Sequence, residues 1–195
     1  MTGPDHAARL SPAPARYNFL PRRIFEKTCP DLMNISIRNV TPQDASQICD
    51  IYNYYIRETT ISFEQQPVSV QEMQERIESY SSTWPWLVAE RDGRLVGYTY
   101  ASRWRTRAAY DNTVESAVYV SNDARQSGVG LPLYTALLDA LRQQAVHTVI
   151  GGIALPNPGS VALHEKCGFR KVAHFAEAGR KFDRWIDVGF WQILL

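Results

Sequence analysis

The chain has 195 residues, enough for one domain with a sizeable core, and its 45% hydrophobic and 21% charged residues fall within the ordinary globular range. Lys and Arg total 21 against 20 Asp and Glu, a net charge of +1, so nothing marks a nucleic-acid binder and any anionic partner must be recognised locally. No apolar run approaches the roughly 20 residues of a membrane helix, and a soluble protein without membrane association is expected. Cys29, Cys49 and Cys167 are odd in number and widely spaced, with neither a disulfide framework nor metal-ligand spacing; a reducing cytoplasm and no metal are expected.

Along the chain, Pro4, Pro12, Pro14, Pro21 and Pro30 interrupt every periodicity in residues 1–33, where Arg9, Arg16, Arg22, Arg23 and Lys27 outnumber the acids. No secretory core is present there, and a disordered extension is expected, with Met33 an equally suitable start. The domain is placed at 34–195, opening on strand-like Ile35-Ser36-Ile37-Arg38. Thr41-Pro42-Gln43-Asp44 reads as a helix start, followed by Ala45, Ile48, Ile51, Tyr52 and Tyr55 at helical spacing to about Arg57. Ser69-Val70-Gln71-Glu72 reads as a capping box for a short, peripheral helix with a stripe of Val70, Met73, Ile77 and Tyr80. Strands Trp86–Glu90 and Leu95–Ser102 flank Asp92-Gly93, an antiparallel hairpin signal.

The central unit runs from strand Val114–Val120 through a glycine loop to a helix from Val129 to about Gln144, then strand Thr148–Ala154. That order predicts a parallel crossover. Leu131, Tyr134, Leu138 and Leu141 are the expected sheet-facing side of the helix. Pro132 requires the helix to begin near Val129 or Gly130, or to kink. A short helix Ser160–Lys166, stopped by Gly168, and a closing strand Trp185–Leu194 complete an α/β (α+β) domain with a mixed, mostly antiparallel sheet flanked by helices.

The chemistry concentrates in Val114-Glu115-Ser116-Ala117-Val118-Tyr119-Val120 and the following Arg125-Gln126-Ser127-Gly128-Val129-Gly130. Helix-start amides have no intrahelical partner and carry partial positive charge, so glycines there admit a phosphate or pyrophosphate. A plain strand-to-helix turn fits the two glycines equally. A Rossmann fingerprint is excluded because Leu133 stands at its third glycine, and the Walker Gly-Lys-Ser/Thr is absent. Glu115 suits a general base raised in pKa by apolar neighbours, or a structural partner of an arginine.

Arg125 to Gly130 resembles the Arg/Gln-x-x-Gly-x-Gly/Ala signature of the GNAT acetyltransferases. The resemblance extends from about Ile35 to Gln192 and narrows to the phosphinothricin N-acetyltransferase group through Trp84–Glu90, Trp104–Asp111 and Asp187–Gln192. It implies acetyl-CoA as co-substrate, with pyrophosphate held by Arg125, Gln126, Ser127, Gly128, Val129, Gly130 and Leu131. Val118, Tyr119 and Val120 would line the pantetheine arm, with Asn157 and Lys166 as further contacts. It implies Glu115 as the base, with an amide near Val118 polarising the thioester carbonyl, and His164 as proton donor to the thiolate or assistant to the base; a packed polar histidine is the alternative. Cys167, beside the glycine stop, suits packing better than a covalent mechanism. Arg105, Thr106, Arg107 and Tyr110, with Phe63 as an apolar wall, would bind a small amino acid analogue by its carboxylate and tetrahedral head group. Phosphinothricin or methionine sulfoximine or sulfone would be acetylated on the α-amino group, and a homodimer is implied. A protein N-terminus or another small amine as acceptor, or a catalytically silent acyl-CoA-binding module, are the alternatives.

Overall fold

The computed structural model describes residues 35–195 together with a two-residue strand at Arg23–Ile24. The elements are β1 (Arg23–Ile24), β2 (Ile35–Asn39), α1 (Ala45–Glu58), α2 (Val70–Ser81), β3 (Trp86–Arg91), β4 (Arg94–Arg103) and β5 (Thr113–Val120). There follow α3 (Gly130–Gln143), β6 (Thr148–Leu155), α4 (Pro158–Lys166), β7 (Arg170–Lys181) and β8 (Arg184–Leu194). One sheet in the order β1-β2-β3-β4-β5-β6-β8-β7 contains them, antiparallel throughout except for the β5–β6 pair. This is the α/β class and mixed sheet that the sequence predicts. Apart from Arg23–Ile24, the expected extension 1–33 lies outside the described residues, as does Cys29. Among the described residues no helix is long and apolar enough to cross a membrane.

Both faces of the sheet are covered, and the pleat explains how. On β3, Leu87 and Ala89 enter a core with Leu133, Tyr134, Leu137 and Leu141 of α3, whereas Trp86 and Val88 enter a second core with Ile48, Tyr52 and Ile56 of α1. Asp92 and Gly93 turn the β3–β4 hairpin with φ of 50° and 77°, the left-handed conformation that an Asp-Gly turn supplies. Asp44 closes the capping box with Thr41 and accepts two bonds from Arg38, each 2.8 Å, fixing β2 against the start of α1.

The local expectations hold in part. As Pro132 requires, helix α3 starts at Gly130 and places the proline in the first turn, where no amide donor is required of it. Its buried side includes Leu133 and Leu137, while Leu131 is only half-buried. On α2 only Met73 and Ile77 are buried, and Val70 and Tyr80 are exposed. The Ser69 hydroxyl accepts from the Glu72 amide at 3.2 Å. Strand β7 has no counterpart in the sequence-based assignment. Its side chains are exposed on both faces over most of its length, so no alternation marks it.

Candidate active site

Strands β5 and β6 pair only at Thr113–Thr148, Val114–Val149 and Glu115–Ile150. Beyond that point β4 stays on β5 as far as Val120, and β8 stays on β6 as far as Leu155. The sheet therefore forks directly after Glu115. Gly151 and Gly152 shape the fork. A Cβ on Gly151 would overlap the His164 imidazole, and one on Gly152 would lie 3.5 Å from Glu115 Oε1 and 3.3 Å from the Phe190 ring. Helix α4 fills one side of the gap with His164, which is 4% exposed.

Two cavities meet in the fork. The larger, about 590 Å³, runs along Val118 and Val120 to Arg125, Gln126, Gly128, Val129, Gly130 and Leu131, with Asn157 on the opposite wall. The smaller, about 260 Å³, holds Glu115, Tyr100, Ser102, Ala117, Tyr119 and His164. Ile61, Val118, Asn157 and Ser160 belong to both.

The loop of the larger cavity presents the first amides of α3. Gln126 and Gly128 adopt φ of 63° and 81°. The glycine needs no side-chain accommodation in that conformation. Gly130 lies where a Cβ would press on Leu163 at 3.2 Å, so its absence keeps the groove open. The Arg125 guanidinium lies 5.3 and 5.1 Å from the ring centroids of Tyr54 and Tyr55. Tyr55 in turn donates its hydroxyl to the Val120 carbonyl at 2.6 Å. An apolar channel ending in free helix amides and an arginine fits an extended thioester arm and its pyrophosphate.

In the smaller cavity, burial pushes the Glu115 carboxyl above its ordinary pKa, and the Arg105 charge partly opposes that rise. His164 moves the other way because burial disfavours imidazolium. Its Nδ1 lies 2.8 Å from the Ser160 carbonyl, which can only accept, so Nδ1 carries the proton. Nε2 then accepts from Tyr134 at 3.1 Å, and Tyr134 accepts from Ser116 at 2.7 Å. The result is a directional chain under the fork. Burial likewise raises the Cys167 thiol, which stays protonated against the core.

Not every expected residue lines a cavity. Arg105, Thr106, Arg107 and Tyr110 are exposed on the segment between β4 and β5; among them only the Arg105 charge is felt at Glu115. Arg105 stacks 4.9 Å from the Trp104 centroid, and the segment is bracketed by Arg103–Asp111 at 3.4 Å. Phe63 packs on Gly179 of β7 and does not line the smaller cavity, where Ile61 stands instead. Ser127 turns its hydroxyl back to the Ala124 carbonyl at 2.7 Å. Lys166 is exposed on α4 and lines neither cavity, whereas Asn157 lines both while capping α4 through Ser160 at 3.1 Å. Sequence reasoning missed Tyr100, Ser102, Ser116 and Gly151-Gly152. A glycine doublet inside a strand was the available signal.

Comparison with known proteins decides the family. The Acetyltransferase (GNAT) domain family matches residues 37–189. The chain belongs to the GNAT acetyltransferases. It is 42% identical over 163 residues to a phosphinothricin N-acetyltransferase of Streptomyces viridochromogenes, covering 84% of this chain and 89% of the relative. It is 33% identical over 165 residues to an L-methionine sulfoximine/L-methionine sulfone acetyltransferase of Pseudomonas paraeruginosa, covering 84% and 96%. A GNAT superfamily phosphinothricin acetyltransferase from Sinorhizobium meliloti, solved in complex with acetyl-CoA, superimposes with a TM-score of 0.81 at 32% identity, covering 84% and 89%. This GNAT chain is an acetyl-CoA-dependent acyltransferase. Among its described residues no group of His, Cys, Asp or Glu is arranged to hold a metal ion.

Proposed function

We propose that the enzyme acetylates the α-amino group of a small amino acid analogue, phosphinothricin or methionine sulfoximine or sulfone, by direct attack of the amine on acetyl-CoA. The observation that carries this reading is the place of Glu115, whose proton affinity is raised by burial in the smaller cavity, which adjoins the larger one through Ile61, Val118, Asn157 and Ser160. The named acceptors of the Streptomyces and Pseudomonas relatives support the substrate class. The acceptor cavity, about 260 Å³, favours a small molecule over a peptide.

Glu115 takes a proton from the entering ammonium, directly or through one water, and frees the lone pair. The amine nitrogen bonds to the acetyl carbon as the carbon–sulfur bond breaks, with a backbone amide near Val118 facing the charge that develops on the carbonyl oxygen. Of the two protons that nitrogen sheds, one ends on the coenzyme A sulfur and the other in solvent. Arg125 to Leu131 and Asn157 hold the cofactor. Arg105 and Arg107, with Tyr110, approach the acceptor's anionic groups from the rim. We infer that His164, neutral and bonded at both nitrogens, contributes by positioning the cavity wall with Tyr134 and Ser116.

A second copy of the chain is the proposed partner of the β7–β8 hairpin, which leaves Val172, Phe175, Phe182 and Trp185 more than half exposed, the last at 62%. Equilibrium sedimentation at micromolar concentration tests that dimer. The reaction itself is tested by thiol release from acetyl-CoA with phosphinothricin, methionine sulfoximine and an N-terminal tripeptide as acceptors. Turnover with the two analogues and not the peptide is expected. Preference for the peptide overturns the substrate class, and cofactor binding without any turnover indicates the silent module.

A further inference from the structure

One buried charge lies outside the machinery assigned above. Lys181, the last residue of β7, is 5% exposed, and its ammonium forms no ion pair among the described residues. It donates to the Ser62 carbonyl at 2.6 Å and, at the limit of bonding distance, to the Tyr55 carbonyl at 3.5 Å. Its nearest influential anion, Glu64, is already engaged by Arg76 at 2.7 Å and by the Tyr52 hydroxyl at 2.8 Å. A buried ammonium held by two carbonyls and the Phe182 ring, whose centroid lies 5.2 Å away, with no paired carboxylate, is costly, so its contacts identify what it organises.

Those contacts converge on residues 59–64. The Thr59 hydroxyl donates to the Tyr55 carbonyl at 2.8 Å and accepts from the Ile61 amide at 3.2 Å. Ser62 is buried and donates its hydroxyl to Tyr52 at 3.1 Å while accepting from the Glu64 amide at 3.3 Å. Phe63 lies on Gly179, two residues before Lys181, where a Cβ would collide with its ring. Between these tethers Ile61 projects into the junction of the two cavities. The hairpin and the loop are 119 residues apart in sequence at the Lys181–Ser62 bond.

We propose that Lys181 is a positioning residue for acetyl transfer, donating to the Ser62 and Tyr55 carbonyls so that Ile61 closes the junction where amine and thioester meet. The proposal rests on the reaction assigned above. Displacing the loop misaligns the acceptor, whereas the Arg125–Leu131 backbone, set by its own turn and the start of α3, stays in place.

The test compares wild type with Lys181→Met, which keeps the aliphatic stem without donors. Expected are a fall of about tenfold or more in kcat/KM for phosphinothricin, coenzyme A affinity within about twofold by calorimetry, and faster amide exchange confined to 60–64. Lys181→Arg should restore most of the loss. If the Met variant does not fold, Gly179→Ala, which displaces Phe63 and leaves Lys181 intact, should give the same split. Unchanged kcat/KM in a folded variant, equal losses toward both substrates, or exchange accelerated across the whole domain would overturn the proposal. Absence of turnover in wild type would instead defeat the reaction assignment, and the exchange measurement would still decide the clamp.

Discussion

Replacing Tyr134 by Phe removes one oxygen from the chain that runs under the fork from Ser116 to Tyr134 to His164. The three residues are 6%, 0% and 4% exposed, so no solvent replaces the lost partner. His164 Nε2 loses its donor, and its other nitrogen remains committed to Ser160. Ser116 keeps a weaker acceptor in the Ile150 carbonyl at 3.4 Å, so its loss belongs at the low end. A buried polar group left unpaired costs ~1–3 kcal/mol, and the two ends together suggest about 2–4 kcal/mol. At roughly 2–4 °C per kcal/mol for a domain of this size, the melting temperature should fall by ~5–15 °C. Differential scanning calorimetry at neutral pH measures it. A fall smaller than about 2 °C would refute the idea that this chain supports the fork. Loss of coenzyme A binding in a folded variant would show that the chain shapes the wrong cavity.

Three further outcomes follow from the site. Arg105→Gln removes the charge that opposes the burial-driven rise of Glu115, so Glu115 should stay protonated to higher pH and the acidic limb of kcat/KM should move up; an unmoved limb separates Arg105 from the base. Glu115→Gln should stabilise the protein at neutral pH. The folded-state pKa of Glu115 is raised, so its stabilising contribution is complete below the unfolded value of about 4.3 and is lost as pH rises through the folded value. The melting-temperature gain of the Gln variant should therefore vanish near pH 4 and be positive at pH 8; a gain larger at pH 4 would reverse the assigned sign. Gly128→Ala forces an alanine into φ of 81°, a conformation that costs an L-residue ~1–2 kcal/mol, and should weaken coenzyme A binding about 5–30-fold if the loop shifts to relieve it. Unaltered affinity by calorimetry would show that the loop does not set the cofactor site.

How much of this was legible before the structure depended on whether the signal was local. The Asp92-Gly93 hairpin and the placement of Pro132 in the first turn of α3 follow from backbone chemistry, and both were readable. Glu115 and the glycine loop stood out because a strand carboxylate and paired glycines are anomalies in their own segments. Strand β7 was invisible because it owes its existence to pairing with β8 and has no buried face to impose alternation. Leu131 and Leu133 look equivalent as apolar helix residues, yet the first borders the larger cavity and the second is fully buried. The place of Phe63 on Gly179 was not legible, because only the tertiary fold brings that glycine beneath its ring. Lys181 carried no local mark at all, since a lysine near a strand end is ordinarily solvated.

The most direct test of the central claim is the rate of thiol release from saturating acetyl-CoA with phosphinothricin as acceptor, measured for wild type and Glu115→Gln across pH 5–9 alongside coenzyme A affinity. The account predicts a kcat reduced by roughly 10²–10⁴-fold, cofactor affinity within about twofold, and loss of the acidic limb. A Gln variant that turns over as fast as wild type with the same pH profile would contradict it.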